Sequence, residues 1–259
     1  MTMDLDLAEK VVVVSGATGG IGLAIAQQFL EEGCMVALLA RDIDRLERTS
    51  NKLNRNHDPK NIISISVDCG IEKQLNDAIS KIKNTWSKID IAIANIGDGR
   101  SENVAIPSSE SFKNAFETNL QTAINLARAT QDELRRSHGN LLFISSIAGL
   151  EVIGAPTDYS IAKSALTALS KQLAHKLAPE IRVNCISPGN IFFTGGRWEE
   201  LIKSDGESVQ TMIRDTVPLE KFGTPEDVAN AAVFLCSPRA AFITGSSLTI
   251  DGGQTVASR

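Results

Sequence analysis

Short, nearly uninterrupted apolar runs alternate along this chain with longer stretches in which apolar residues recur every three to four positions. The runs are KVVVVSG (10–16), MVALLA (35–40), IISISV (62–67), DIAIAN (90–95), NLLFISS (140–146), IRVNCIS (181–187) and SSLTI (246–250). Most lack the alternation of a half-exposed strand, so they predict strands covered on both faces. Helical periodicity runs through IGLAIAQQFLEEG (21–33), IEKQLNDAISKIKNTW (71–86), the long segment 109–136 and PEDVANAAVFLCS (225–237). Gly33 marks a helix stop, and Thr224 before Pro225 a helix start. The alternation predicts an α/β domain with one parallel sheet wound by helices on both sides, and no repeat or linker divides the chain. The stretch 189–216, GNIFFTGGRWEELIKSDGESVQTMIRDT, fits least well. Its length and its mixture of glycine, aromatic and charged residues suit a substrate lid, or else a variable surface insertion.

Composition narrows the function. The 259 residues carry a formal net charge of −5, so no basic field points to nucleic acid or an anionic membrane. No apolar run approaches the length of a membrane span. The start, MTMDLDLAEK, is acidic and lacks the basic and apolar regions of a signal peptide. Cys34, Cys69, Cys185 and Cys236 are scattered singly, as are His57, His138 and His175. That pattern argues against a structural metal or disulfide framework and for thiols in a reducing cytoplasm.

SGATGGIG (15–22) follows the first strand and opens the first helix. Glycines at such a junction bring backbone N–H groups close to a ligand, and the helix N-terminus adds partial positive charge where a pyrophosphate can sit. A tight turn would explain Gly16, Gly19, Gly20 and Gly22 equally well in isolation; their place at the start of an alternating chain favours a dinucleotide. The second strand ends at Ala40 and is followed by Arg41 and Asp42. Arginine meets a 2′-phosphate whereas an acid meets free ribose hydroxyls, so Arg41 favours NADP(H), with NAD(H) the alternative that Asp42 keeps open.

TDYSIAKSALTAL (157–169) holds the single tyrosine of the chain, Tyr159, with Lys163 four positions later on the same helix face. Alone, the pair is also what an ordinary helix surface would show. Carbonyl reduction needs a proton for the oxygen as well as a hydride, and a nearby ammonium is expected to pull a phenol pKa down from about 10 toward neutrality. The fifth strand ends Ile144-Ser145-Ser146, and strand alternation sends the two serines to opposite faces, so one of them enters the site.

Taken together, these pieces resemble the short-chain dehydrogenase/reductase family over nearly the whole chain. The glycine motif TGxxxGIG is Ser15-Gly16-Ala17-Thr18-Gly19-Gly20-Ile21-Gly22, with serine replacing the first threonine. Asn-Ala-Gly is Asn95-Ile96-Gly97, YxxxK is Tyr159-Ser160-Ile161-Ala162-Lys163, and Asn184-Cys185-Ile186-Ser187-Pro188-Gly189 and Asp251-Gly252-Gly253 complete the set. The resemblance implies a single Rossmann-type domain over 1–259, with a seven-stranded parallel sheet between two helical layers. It implies an NAD(P)(H)-dependent oxidoreductase interconverting a carbonyl and a secondary alcohol. Tyr159 is then the general acid/base, Lys163 its tuner and a ribose ligand, and Ser146, thirteen residues before the tyrosine, the serine that polarises the substrate oxygen. Asn119 matches the residue that holds water in a proton relay. Cofactor contacts fall to Ser15, Gly16, Thr18, Gly19, Gly20, Ile21, Gly22, Arg41, Asp68, Asn95, Gly97, Tyr159, Lys163, Pro188, Gly189 and Ile191, with Asp68 the adenine-contacting acid. A homo-oligomer, tetramer or dimer, is implied through helices 109–136 and 157–178 and the C-terminal segment; Ala165, Leu166, Ala168 and Leu169 are apolar enough to face a partner, though a contact with the chain's own core explains them equally.

Three segments depart from the common family pattern, and all are expected near the substrate. They are Asp98-Gly99-Arg100-Ser101, the stretch after Ser146 that contains Glu151, and NIFFTGGRW (190–198), which departs from Ile-x-Thr by one residue and puts Thr194 in doubt as an amide ligand. Arg100 and Arg197 are most simply solvated loop arginines; together they would also suit a carboxylate or phosphate, which would point to a polar or anionic substrate such as a sugar derivative or hydroxy acid. A 3-oxoacyl-thioester reductase is the alternative within the family, and a catalytically silent NADPH-binding scaffold is the alternative outside enzymes.

Overall fold

The computed structural model describes residues 4–102 and 104–257. Seven strands form one sheet: β1 (Val11–Ser15), β2 (Met35–Ala40), β3 (Ile62–Ser66), β4 (Ile91–Ala94), β5 (Asn140–Ile144), β6 (Arg182–Pro188) and β7 (Ser247–Ile250). Their order is β3-β2-β1-β4-β5-β6-β7, and every pairing is parallel. All seven coincide with the apolar runs of the sequence to within about a residue at each end.

Eight α-helices connect and cover the sheet: α1 (Gly20–Glu31), α2 (Ile43–Leu53), α3 (Glu72–Trp86), α4 (Ser109–Phe116), α5 (Thr122–Ser137), α6 (Thr157–Leu177), α7 (Arg197–Thr216) and α8 (Pro225–Cys236). β1 shows why its run is continuously apolar. Val12 and Val14 pack into the core under α1 and α8, while Val11 and Val13 pack into the opposite core under α3, α5 and α6. Both faces are dry, so alternation has nothing to encode.

Four features differ from the sequence reading. Helix α2 was not legible because Asp44, Arg45, Glu47 and Arg48 mask a narrow buried stripe of Leu46, Thr49 and Leu53. The segment 109–136 is not one helix: a single π turn, Glu117–Gln121, separates α4 from α5. Within it, the Asn119 amide donates to the Ala115 carbonyl and the Thr122 hydroxyl to that of Thr118, which supports the wide turn that the backbone bonds alone do not favour. The stretch expected as a lid contains α7, kinked where Asp205 leaves helical geometry (φ −157°, ψ 76°) just before Gly206. On α6, Leu166 is buried in the chain's own core and is not available to a partner, whereas Ala168 is exposed. Among the described residues, no helix is long and apolar enough to cross a membrane.

Phe143 on β5 is fully buried among the residues of the second core. Replacing it with alanine is expected to lower stability by about 3–5 kcal/mol with an unchanged denaturant slope. A loss below about 1 kcal/mol in guanidinium melts would contradict this packing.

Candidate active site

The strand order reverses between β1 and β4, and a cleft of about 870 Å³ opens at the carboxyl ends of the strands there. The glycine loop forms one wall. Gly16 has φ +68° and Gly20 φ +49°, both in the left-handed region that favours glycine. A β-carbon on Gly22 would fall 2.3 Å from the Gly16 carbonyl oxygen, so only glycine lets α1 start this close to β1. Helix α1 begins without a side-chain cap and without an acid in its first turn. Its N–H groups and positive dipole end are thus left for an anion, with Gly16, Thr18, Gly19 and Ile21 at the cleft. These features fit a dinucleotide pyrophosphate. Gly20 and Gly22 do not line the cleft; the Phe193 ring packs on Gly20, where a β-carbon would lie 2.7 Å from Cζ.

Two of the expected contacts are bracing groups. The Ser15 hydroxyl donates to Ile93 O (3.1 Å) and accepts from Asn95 N (3.1 Å). The Asn95 amide donates to the carbonyls of Ser15 and Gly16, each at 3.2 Å. Together they tie β1 to β4 across the switch point, with Asn95 at the cleft and Ser15 buried behind it.

At the β2 end, Arg41 lines the cleft. Asp42, the acid that kept NAD(H) open, also lines the cleft and N-caps α2, its Oδ1 accepting Arg45 N at 2.9 Å. The sequence reading missed Arg45, which turns back from the first turn of α2 so that a β-carbon on Gly19 would lie 3.1 Å from its Nη2. An R-x-x-x-R spacing across a helix start was the available signal. Asp68 does not line the cleft; its Oδ1 accepts Gly70 N at 2.8 Å, as a loop cap does.

Ser146, Tyr159 and Lys163 converge on the cleft. Ser145 also borders the cleft, but its hydroxyl is buried against α6, 3.0 Å from both the Lys163 carbonyl and the Thr167 hydroxyl. Lys163 is 3% exposed, and its ammonium donates to Ile144 O at 3.1 Å. Gly97 makes room for it: a β-carbon there would lie 2.7 Å from Lys163 Nζ and 3.0 Å from Asn119 Oδ1. Asn119, 1% exposed, does not reach the cleft with its side chain. It accepts Asp98 N (3.0 Å) and donates to Asp98 O (3.1 Å), which fixes the segment that follows Gly97.

Burial pushes the Tyr159 pKa up, and the neighbouring Ser146 hydroxyl offsets this only in part. The Lys163 ammonium lies over the ring, 5.8 Å from its centroid, and donates to a carbonyl. Burial lowers Lys163 itself to about 8.

Pro188, Gly189 and Ile191 line the far wall with Thr194. Ile191 is bridged to Gly223, and Gly189 abuts Asp251, whose Cβ would lie 2.7 Å from a β-carbon there. Arg100 and Arg197 do reach the cleft mouth, but both are already paired. Glu200 takes Arg100 (2.5 Å) and Arg197 (3.1 Å), while Asp98 takes Arg100 at 3.1 Å. Two arginines against two acids leave no net charge for an anion. Trp198 stands beside them, packed on Phe222 with centroids 5.3 Å apart. Glu151 faces the chain's end, accepting Val256 N (3.0 Å) and Ala257 N (2.7 Å). It thereby holds a tail whose Gln254 lines the cleft, a residue no sequence signal marked. Among the described residues, no group of three or more histidines, cysteines or acids could hold a metal.

A buried ammonium with a lowered pKa opposes folding below about pH 8, where it is charged in both states. Lys163→Met is therefore expected to raise Tm at pH 7. The gain should shrink as pH rises through the folded value toward the unfolded one, where both states become neutral. Thermal melts at pH 7 and pH 10 showing no gain, or a gain that grows with pH, would refute this.

Comparison with known proteins agrees with the architecture. The family profile described as enoyl-(acyl carrier protein) reductase matches residues 16–255. A tropinone reductase homolog from Arabidopsis thaliana is 32% identical over 254 residues, covering 96% of this chain and 94% of that protein. L-fucose dehydrogenase from Bos taurus is 33% identical over 257 residues, covering 98% and 92%. L-sorbose reductase from Gluconobacter frateurii, complexed with NADPH and L-sorbose, superposes with a TM-score of 0.92 at 31% identity, covering 99% of this chain and 100% of the other. With matches along almost its full length and the same fold, this chain belongs to the short-chain dehydrogenase/reductase family and is an NAD(P)-dependent oxidoreductase.

Proposed function

We propose that the protein interconverts a neutral polyhydroxy ketone and its secondary alcohol, with NADP(H) as the preferred cofactor and Tyr159 as the acid/base. The observation that carries this reading is the convergence of Ser146, Tyr159 and Lys163 on the same cleft as the uncapped N-terminus of α1. A bound nicotinamide supplies hydride. The chain's own residues do the rest. The raised pKa of Tyr159 keeps the phenol protonated at neutral pH, ready to donate to a carbonyl oxygen that the Ser146 hydroxyl orients. Lys163 and Gly97 border the place for the nicotinamide ribose, and the α1 N-terminus that for the pyrophosphate.

Arg41 and Arg45 support the 2′-phosphate, because both guanidinium groups reach the cleft at the β2 end, where Asp42 uses one carboxylate oxygen to cap α2. Neutralised arginines at the mouth, the polar 98–101 segment and the Trp198 ring favour a neutral, hydroxyl-rich substrate over a carboxylate. The two sugar-active relatives, named for L-fucose and L-sorbose, agree with that class. The kinked α7 is then a lid over the substrate end, hinged at Asp205 and Gly206.

Tyr159→Phe is expected to lower kcat by about 10²–10⁴ with NADPH affinity unchanged, read by fluorescence titration. Wild-type-like turnover in that variant would remove Tyr159 from the mechanism. Arg41→Ala and Arg45→Ala should each raise the KM for NADPH by about tenfold, the loss of one charge-assisted bond, while leaving that for NADH unchanged. Equal effects on both cofactors would overturn the NADP(H) preference. A carbonyl panel in which acyl thioesters outperform ketoses would move the substrate to the thioester class.

A further inference from the structure

We propose that Asp158 is a positioning residue of this site, whose buried carboxylate clamps the 98–101 segment over the Tyr159 ring. The inference rests on Tyr159 being the acid/base proposed above, and extends it to a group one position earlier in the chain that no motif marks.

Asp158 is fully buried at 0% exposure in the first turn of α6. Its Oδ1 accepts Tyr159 N at 2.8 Å. Its Oδ2 accepts the Ser111 hydroxyl at 2.7 Å and, in addition, the Ser101 hydroxyl. The two serine hydroxyls are themselves 2.9 Å apart. Among the described residues no lysine or arginine pairs with this carboxylate. Its charge is met by two hydroxyls, a backbone amide and the positive end of the α6 dipole. Burial alone would raise its pKa, but these donors outweigh burial and hold the carboxyl below its ordinary range.

Desolvating a carboxylate costs several kcal/mol, and apolar packing would fill the same space without that cost. What a carboxylate adds is direction, because each oxygen fixes a named donor. The donors belong to three elements: α6 itself, α4 through Ser111, and the loop through Ser101. The loop is the functionally exposed member. Asn119 holds it at Asp98 on one side, and Asp158 holds it at Ser101 on the other. Between the two clamps Gly99 lies against the phenol, where a β-carbon would sit 3.7 Å from Tyr159 Cζ and 3.8 Å from both Cε atoms. The next residue, Arg100, reaches across to Glu200 on α7. Releasing Ser101 therefore frees the segment that covers the ring and joins it to α7. Errors of about 1 Å in such positioning cost about 10²-fold in rate.

The test separates the loop arm of the clamp from its α4 arm. Ser101→Ala and Asp158→Asn should each lower kcat for ketose reduction by at least about tenfold, with NADPH affinity unchanged. Ser111→Ala should retain kcat within about twofold while losing thermal stability. The Ser101→Ala/Asp158→Asn double variant should be no worse than Asp158→Asn alone, since both release the same loop. Amide hydrogen exchange at 98–101 should quicken in Ser101→Ala and not in Ser111→Ala, a readout that needs no turnover. Unchanged kcat in Ser101→Ala despite faster exchange overturns the positioning role. Equal kcat losses in Ser101→Ala and Ser111→Ala reduce Asp158 to a fold clamp and also overturn it. If Asp158→Asn fails to fold, Ser101→Ala alone decides. A wild-type protein inactive on every carbonyl defeats the functional reading instead, and unchanged exchange in Ser101→Ala then defeats the clamp separately.

Discussion

Everything in this molecule follows from covering a parallel sheet on both faces. Once Val11 to Val14 are dry on either side of β1, the centre of the sheet is closed to polar chemistry on both faces. What remains open is the carboxyl edge, and it opens widest where neighbouring connections run to opposite faces, between β1 and β4. Nearly every polar group of functional interest leaves a strand end or starts a helix at that edge. The glycines serve the same constraint, because Gly22 and Gly97 allow backbone and side chains to converge where a β-carbon would collide.

The price of crowding polar groups at one edge is desolvation. Lys163 and Asp158 are both buried, and among the described residues neither has an oppositely charged side chain as partner. Each is met by neutral dipoles instead: Ile144 O for the ammonium, hydroxyls and an amide for the carboxylate. Neutral dipoles are direction-specific, so they hold geometry more narrowly than an ion pair with a flexible partner would. Burial likewise raises the Tyr159 pKa, since it opposes the phenolate. A site arranged this way trades stability for orientation.

The cleft mouth follows a different rule. Asp98, Arg100, Arg197 and Glu200 are about half exposed and pair with one another, an arrangement worth little to stability in water. Its effect is to join the 98–101 segment to α7 and to cancel local charge. Read from the sequence, the two arginines suggest an anion; in space their acids are already seated beside them.

How much of this was legible in the sequence depended on whether the signal was local. The seven strands, the glycine loop and the Tyr159–Lys163 pair were readable because sheet burial, helix starts and i,i+4 faces are written in adjacent residues. The choice of Ser146 over Ser145 rested on strand alternation together with family spacing; in the fold both border the cleft, and the Ser145 hydroxyl is engaged by α6. The π turn, the return of Arg45 to Gly19, the paired arginines, the Glu151 hold on the tail and the Asp158 clamp were not readable. Each joins residues far apart in the chain, or depends on which way a side chain turns. Sequence determines the periodicities that bury the sheet and the residue types present at its open edge. Only tertiary structure decides which donors each buried charge meets, because distances across the cleft are set by packing and not by spacing along the chain.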